Sequence, residues 1–323
     1  MNEDQPFLRI YCESPAQVAG GRAGALSRAR LTRVFAFVCL LSGVAANVDA
    51  EWIADANVGF EYNDNLSLAP VDQDIEGDSA LFASVSAGQH VQLADTVGLV
   101  IAADLGKTVF RDLSGLDHLS MGVASALRKK FGLGLYAPWL RVLGSGAWFD
   151  YKDDPRDGWR YAASVGVGKR LTQRWELQAE YRYETRQSDE VVDIPFFVSN
   201  FGIHGDAYDI DAHSVSLRGL CTVTERLALA LGYTRREGEV TSTTQRNAQI
   251  FAASDANTLD PVFGPNAFAY RIDAGSNLYS VGLSWALGKH ASANLSYQYH
   301  HSTADHGLEY DNNIVQVQYL YSY

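Results

Sequence analysis

The sequence predicts an all-β protein: a single antiparallel transmembrane β-barrel of about twelve strands, with ten or fourteen as the alternative counts. Three observations carry this. Apolar and polar residues alternate with period two over segment after segment, the pattern of a strand with one face in an apolar medium and the other in a polar one. The connections between those segments also alternate, long then short, as in a barrel whose loops lie on one side of a membrane and whose tight turns lie on the other. After residue 50, no stretch approaches the roughly 20 consecutive apolar residues of a membrane helix.

In the first strand Trp52, Ala54, Ala56, Val58, Phe60 and Tyr62 alternate with Ile53, Asp55, Asn57, Gly59 and Glu61. A loop from Asn63 to Asp78 follows, then Leu81, Ala83, Val85 and Ala87, a tight turn at Ala94-Asp95-Thr96, and Val97, Leu99, Ile101, Ala103 and Leu105. Beyond a loop at Arg111 to Asp117, Leu119, Met121, Val123 and Leu127 mark a fourth strand. The fifth, between Trp139 and Tyr151, has apolar residues on both faces, so its orientation stays open. Turn formers from Asp153 to Gly158 lead to Tyr161, Ala163, Val165 and Val167, and Thr172-Gln173-Arg174 is a tight connection. The seventh strand alternates most cleanly, Trp175, Leu177, Ala179, Tyr181 and Tyr183 against Glu176, Gln178, Glu180, Arg182, Glu184 and Arg186. A long loop from Gln187 to about Asp211 precedes Val215, Leu217, Gly219 and Cys221, and a turn at Thr224-Glu225-Arg226 feeds Leu227, Leu229, Leu231 and Tyr233. The longest loop is expected from about Thr241 to Asp273. Tyr279, Val281, Leu283, Trp285 and Leu287 then turn at Gly288-Lys289-His290 into Ala293, Leu295, Tyr297 and Tyr299, and a loop near Ser302 to Asp311 leads to the last strand.

Both termini fit an exported barrel. Arg22, Arg28, Arg30 and Arg33 precede the apolar run Val34 to Leu41, and small residues lead to a cleavage site between Ala50 and Glu51. Residues 1–50 therefore read as a secretory signal with an upstream extension, and residues 51–323 as the barrel. At the far end Val315, Val317, Tyr319, Tyr321 and Tyr323 share one face, and this resembles the C-terminal assembly signal of bacterial outer-membrane β-barrels. That resemblance implies an integral protein of the bacterial outer membrane, with lipid, lipopolysaccharide and the barrel assembly machinery as partners. Aromatics at strand ends (Trp52, Tyr62, Phe110, Tyr161, Trp175, Tyr183, Trp285, Tyr299 and Tyr323) suit interfacial girdles better than the core of a soluble sandwich.

The stretch Gly59-Phe60-Glu61-Tyr62-Asn63-Asp64-Asn65-Leu66 resembles the Gly-x-x-Tyr-Asp-Asp-Asn start of the β-barrel porin-2 type outer-membrane proteins, with Asn63 in place of the usual acid. The resemblance implies a barrel linked to exopolysaccharide export and assigns no catalytic residue.

Composition excludes several classes. The chain has 26 basic and 38 acidic residues, of which residues 1–50 hold five and four, so the remainder carries −13 and nucleic acid is disfavoured as a partner. Of three cysteines only Cys221 lies past residue 50, so the barrel has no internal disulfide. Neither a cofactor motif nor metal-ligand spacing is present, and the acid-rich loops (Asp72, Asp74, Glu76 and Asp78 in the first) read foremost as solvated charge.

About twelve strands tilted by about 40° give a diameter of roughly 25 Å, wide enough for a solvated lumen. The inward set is expected to be Asp55, Asn57, Glu61, Asp104, Arg128, Arg170, Glu176, Gln178, Glu180, Arg182, Glu184, Arg186, Arg218, Arg236, Asn294, Gln298, His300, Gln316 and Gln318. Between these, small inward residues such as Gly106, Gly166 and Gly232 leave room. The expected function is a channel for small polar or saccharide solutes. Acidic loops at its mouth imply a preference for cations. Pairing of Glu with Arg inside the lumen, serving rigidity alone, is the plain alternative. Apolar clusters in the fourth loop (Ile194 to Val198) and the fifth (Ile250, Phe251, Val262, Phe263, Phe268) suggest packing at the mouth or a fold into it. Two other classes remain: a plugged structural or adhesive barrel, and a rim hydrolase. For the latter, Asp72-Gln73-Asp74 with Asp211-Ala212-His213 is similar to the Asp-x-Asp and Asp-x-His pairs of the omptin proteases.

Overall fold

The computed structural model describes residues 50–189 and 206–323. The alternating segments form β1 (Ala50–Asn63), β2 (Asp78–Ala94), β3 (Val97–Phe110), β4 (His118–Lys130), β5 (Trp139–Tyr151), β6 (Gly158–Arg170), β7 (Trp175–Ser188), β8 (Ile210–Thr222), β9 (Leu227–Gln245), β10 (Ala256–Leu259), β11 (Ala267–Ala286), β12 (Ala291–Ala304) and β13 (Leu308–Ser322). All but β10 form one closed antiparallel barrel of twelve strands. Strand β9 passes over β10 to pair with β11, and β13 returns to β1 in a register running from Asp55↔Ser322 to Asn63↔Ile314.

Register follows from patterning, because a slip of one residue would exchange the two faces of a strand. Paired residues share a face, so Phe60 lies between Leu81 and Val317, and all three are exposed on the outer surface. Val85, Leu217, Leu231 and Leu283 continue this apolar band around the barrel. A water-facing monomer rarely exposes a contiguous apolar patch beyond a few hundred Å²; a band around the whole circumference is built for lipid. Trp52 and Tyr323, 69% and 74% exposed, mark its rim at the short-turn end beside Trp175 and Trp285.

Four details differ from the sequence reading or complete it. Phe110 is not a girdle residue: it points inward and packs with Leu66, Ala80 and Leu116, because Val109 takes the outward position. In β5 the odd residues face inward, burying Trp139 and Arg141 while Val142 faces out, since a guanidinium is costly in lipid and Trp139 shares its face. The loop expected near Ser302 to Asp311 shrinks to Asp305–Gly307, because β12 and β13 keep pairing to Ala304↔Leu308 and turn on the positive φ of His306 and Gly307. The longest loop also shrinks, to residues 246–266, because β9 and β11 pair past their neighbours as far as Gln245↔Ala267.

That extended hairpin covers the long-loop mouth. Where β12 has ended, β10 adds to the free edge of β11 in the register Ala256↔Arg271 to Leu259↔Phe268. The short helix α1 (Ala248–Ala253) starts on Asn247, whose Oδ1 accepts from the amides of Gln249 (2.9 Å) and Ile250 (3.3 Å). It delivers Ile250 into a buried cluster with Leu68, Tyr270, Ile272, Leu308 and Tyr310. Ser242 Oγ donates to the Leu68 carbonyl at 2.7 Å, the Thr243 amide to that of Ser67 at 2.7 Å, and Val262 and Phe263 pack on the second loop's cluster. Of the fifth loop's apolar residues Ile250, Val262, Phe263 and Phe268 thus pack at the mouth, while Phe251 stays exposed. The apolar run Ile194 to Val198 lies outside the described residues.

Candidate functional site

Below the mouth the lumen holds a cavity of about 570 Å³. Its walls differ in chemistry because inward residues of neighbouring strands stack in rows. On β5 to β9 and their turns it is lined by Arg141, Arg160, Arg170, Arg174, Arg182, Arg218 and Arg236, with Arg156 from the third loop, against Glu176, Glu180 and Glu184. Seven of these arginines face three glutamates, a surplus of four positive charges, while Arg156 is paired with the buried Asp260. On β11 to β13 the lining is neutral: Ser276, Ser280, Ser284, Asn294, Ser296, Gln298, Ser302, Gln316 and Gln318, with His300.

Each glutamate is held by the arginine wall itself. Arg141 Nη2 meets Glu180 Oε2 at 2.5 Å, and Glu184 Oε2 receives Arg160 at 3.2 Å and Arg182 at 3.4 Å. Glu176 Oε1 accepts from Gln178 (2.9 Å) and from the Trp139 indole (3.3 Å), and Arg170 lies 4.0 Å from its other oxygen. The Trp139 ring lies 5.2 Å from the Arg128 guanidinium and 5.8 Å from that of Arg141, both within cation–π reach. Its ring lies over Gly168, where a Cβ would fall 2.2 Å from Trp139 Cζ2.

Of the residues expected to line the lumen, Glu176, Gln178, Glu180, Arg182, Glu184, Arg218, Arg236, Asn294, Gln298, His300, Gln316 and Gln318 come together in this cavity, as does Arg170. Asp55, Asn57, Glu61, Asp104 and Arg186 do not line it. Glu61 is buried and accepts from Gln316 Nε2 at 3.2 Å; Asp55 accepts from Ser322 Oγ near the short-turn rim; Asp104 stands beside Gly122. Arg186 is buried under the mouth and donates to the Arg156 carbonyl at 2.6 Å. Sequence reading missed Arg141, Arg156, Arg160 and Arg174. The alternation of β6 gives Arg160 away, since Tyr161 faces out; Arg141 needed the orientation of β5, and Arg156 and Arg174 lie outside the strands.

The acids of the proposed rim constellation face different ways. The carboxylate of Asp74 accepts from the Gln245 amide at the mouth, while Asp211 and His213 lie on the outer face, against the hydroxyls of Tyr183 and Tyr181. Among the described residues no group of three or more His, Cys, Asp or Glu side chains is placed to hold a metal ion. In the first loop, Asn65 Oδ1 accepts from Ser67 Oγ and the Ala69 amide, both at 3.0 Å, and Asp64 accepts twice from Asn313 at 2.7 Å. The Asn63-Asp64-Asn65 stretch therefore folds its loop onto β13 and lies outside the cavity.

No protein-family model matches the chain, and none of the curated proteins does. Among solved structures it is similar to an outer-membrane channel from Pseudomonas putida F1, with a TM-score of 0.55 at 12% identity over 86% of this chain and 97% of that one. The outer-membrane channel DcaP of Acinetobacter baumannii aligns at a TM-score of 0.42 and 11% identity over 86% and 98%, and the translocator domain of the autotransporter NalP from Neisseria meningitidis at 0.42 and 9% over 91% and 96%. The first of these likenesses establishes that the chain has the closed antiparallel barrel fold of outer-membrane channels.

Proposed function

We propose that the chain is a bacterial outer-membrane channel for small polar solutes, and that it favours anions. One observation carries this reading: the surplus of four positive charges among the side chains of one wall of the cavity. A fixed field inside a narrow lumen with low-dielectric walls acts on a solute at close range, whereas exposed acids on the loops are screened within a Debye length of about 10 Å at 0.1 M salt. The lumen thus reverses the cation preference expected from the loops. The hydroxyl and amide wall opposite supplies paired donors and acceptors for solute hydroxyls, which keeps saccharides, and a part in exopolysaccharide export, within the reading. In a planar bilayer with a KCl gradient, the reversal potential of the purified protein is expected to report chloride over potassium; potassium preference would overturn the reading.

The extended hairpin supports a second reading, a barrel closed at its mouth. Deleting residues 248–264 separates the two. Raised conductance with chloride preference retained makes the hairpin a constriction of an anion channel. A folded barrel that conducts neither before nor after the deletion is a plugged barrel.

A further inference from the structure

At the short-turn end of the barrel four of the five turns are two to four residues long, and the remaining one, residues 131–138 between β4 and β5, has eight. The Phe131 amide donates to the Pro138 carbonyl at 2.8 Å and the Ala137 amide to that of Gly134 at 3.0 Å, so backbone bonds close the turn. Its apolar side chains are spent on nothing internal: Phe131, Leu133, Leu135 and Tyr136 are all exposed, Leu133 to 82%. We infer that this turn and the adjoining outer face of β4 to β7 form a docking site for an anionic phospholipid of the leaflet that the short turns meet. The inference goes beyond the channel reading and needs only that the apolar band spans a membrane.

Continuity with that band is the first argument. Lys129 pairs with Leu140, Leu140 with Val167, and Lys169 with Leu177, and Val167 and Leu177 are exposed on the outer surface. Both lysines therefore leave the barrel on its lipid side, at the rim, where a long apolar stem lets the ammonium reach the phosphate level. Phe131 extends the same face, its ring 5.9 Å from Lys129 Nζ. Charge is the second argument. Residues 127–141 and 167–175 contain no Asp or Glu, while Lys129, Lys169 and Arg174 are exposed there; the turn acids Asp95 and Glu225 lie on the two flanking turns. The third is shape. A shallow cleft of about 510 Å³ between the two turns is lined by Tyr136, Leu171, Thr172, Gln173, Arg174 and Trp175. Thr172 Oγ1 accepts from the amides of Arg174 at 3.2 Å and Trp175 at 3.0 Å, which fixes the entry to β7 and with it Trp175. Tyr and Trp settle at headgroup level, and a guanidinium fork fits a phosphodiester. An apolar surface, rim aromatics and cations in an acid-free stretch together match a lipid whose acyl chains and negative phosphate arrive joined.

Native mass spectrometry of the purified full barrel, with phosphatidylglycerol or phosphatidylethanolamine added, is expected to show preferential retention of the anionic lipid. Lys129→Gln and Lys169→Gln are each expected to cut that preference about fivefold, the effect of one basic residue near an anionic surface. Retained heat modifiability checks folding; where a variant fails it, the wild type carries the test, its preference falling as ammonium acetate is raised from about 0.05 M to about 0.5 M. In envelopes of cells whose chain bears a photoreactive benzophenone amino acid at Leu133, irradiation is expected to give an adduct of phospholipid mass. Equal retention of the two lipids by the wild type, or a preference that survives loss of both lysines, overturns the headgroup site. An adduct joining two copies of the chain, an adduct to another protein alone, or no adduct overturns the lipid as occupant of the turn. None of these readouts depends on which ion the lumen favours, so a failure of the anion reading in the bilayer leaves the inference standing.

Discussion

Arg156 at the mouth and Arg236 in the lumen are both enclosed by protein, yet they stand in opposite electrostatic situations. The side chain of Arg156 forms an ion pair with the fully buried Asp260, lies 3.5 Å from Asp153, and stacks over Tyr208 at 4.5 Å and Phe263 at 5.7 Å. Burial by itself favours its neutral form, but the attraction of Asp260, then Tyr208 and Asp153, outweighs it and holds the guanidinium above its ordinary pKa. Thr243 Oγ1 donates to the same Asp260 at 2.7 Å. Arg236 donates to the neutral Glu239 carbonyl and feels the carboxylates of Glu184 and Glu239 only at a distance, the former held by Arg160 and Arg182. The difference teaches how to read an arginine inside a barrel: where carboxylates match it, it is structure; where they fall short, it is available to a solute.

The largest expected effect comes from breaking the match at the mouth. Asp260→Ala leaves Arg156 buried without its principal partner, a change that costs about 3–5 kcal/mol in comparable buried pairs. The barrel is expected to stay folded while the hairpin loosens, measured as new protease cleavage within residues 246–266 and a rise in conductance. Arg156→Ala added to Asp260→Ala is expected to restore part of the protection, because no orphan charge remains. Unchanged protection in the single variant would show that the apolar cluster around Ile250 holds the mouth without the ion pair.

A smaller effect is expected from the short-turn half of the arginine wall. Arg170 lies 4.0 Å from Glu176 and is partly exposed, so its pairing contributes at most about 1 kcal/mol. Replacing Arg170 and Arg174 by glutamine is therefore expected to leave unfolding in denaturant almost unchanged while lowering the chloride-to-potassium permeability ratio. A stability loss as large as that at the mouth would place these arginines in the structural class after all. The smallest effect is expected from the exposed loop acids. Asp72→Asn with Glu76→Gln should shift selectivity slightly toward anions at 0.01–0.1 M salt and not at all at about 1 M, where the Debye length is about 3 Å. A shift that persists at high salt would mean that these acids enter the conduction path.

The alternation within each strand was enough to sort residues between lipid and lumen. The face of β7 bearing Glu176, Gln178, Glu180, Arg182, Glu184 and Arg186 could be read without knowing any neighbour, because side-chain direction in a strand is a local property with period two. The same logic supplied the outer aromatic and aliphatic band and the strand count. It faltered where a strand carries apolar residues on both faces, as β5 does, and where strands run on into segments that look like loops, as β9 and β11 do. Tertiary structure alone decided which charges meet. Arg156 and Asp260 are 104 residues apart, and Phe110 joins Leu66 and Leu116 only because two loops and a strand end converge at the mouth. The balance of arginine over glutamate in the cavity is likewise a sum over several strands brought side by side. A local pattern fixes the direction in which a side chain points; which group stands opposite depends on barrel closure and loop packing, and that pairing decides whether a charge is neutralised or free to act on a solute.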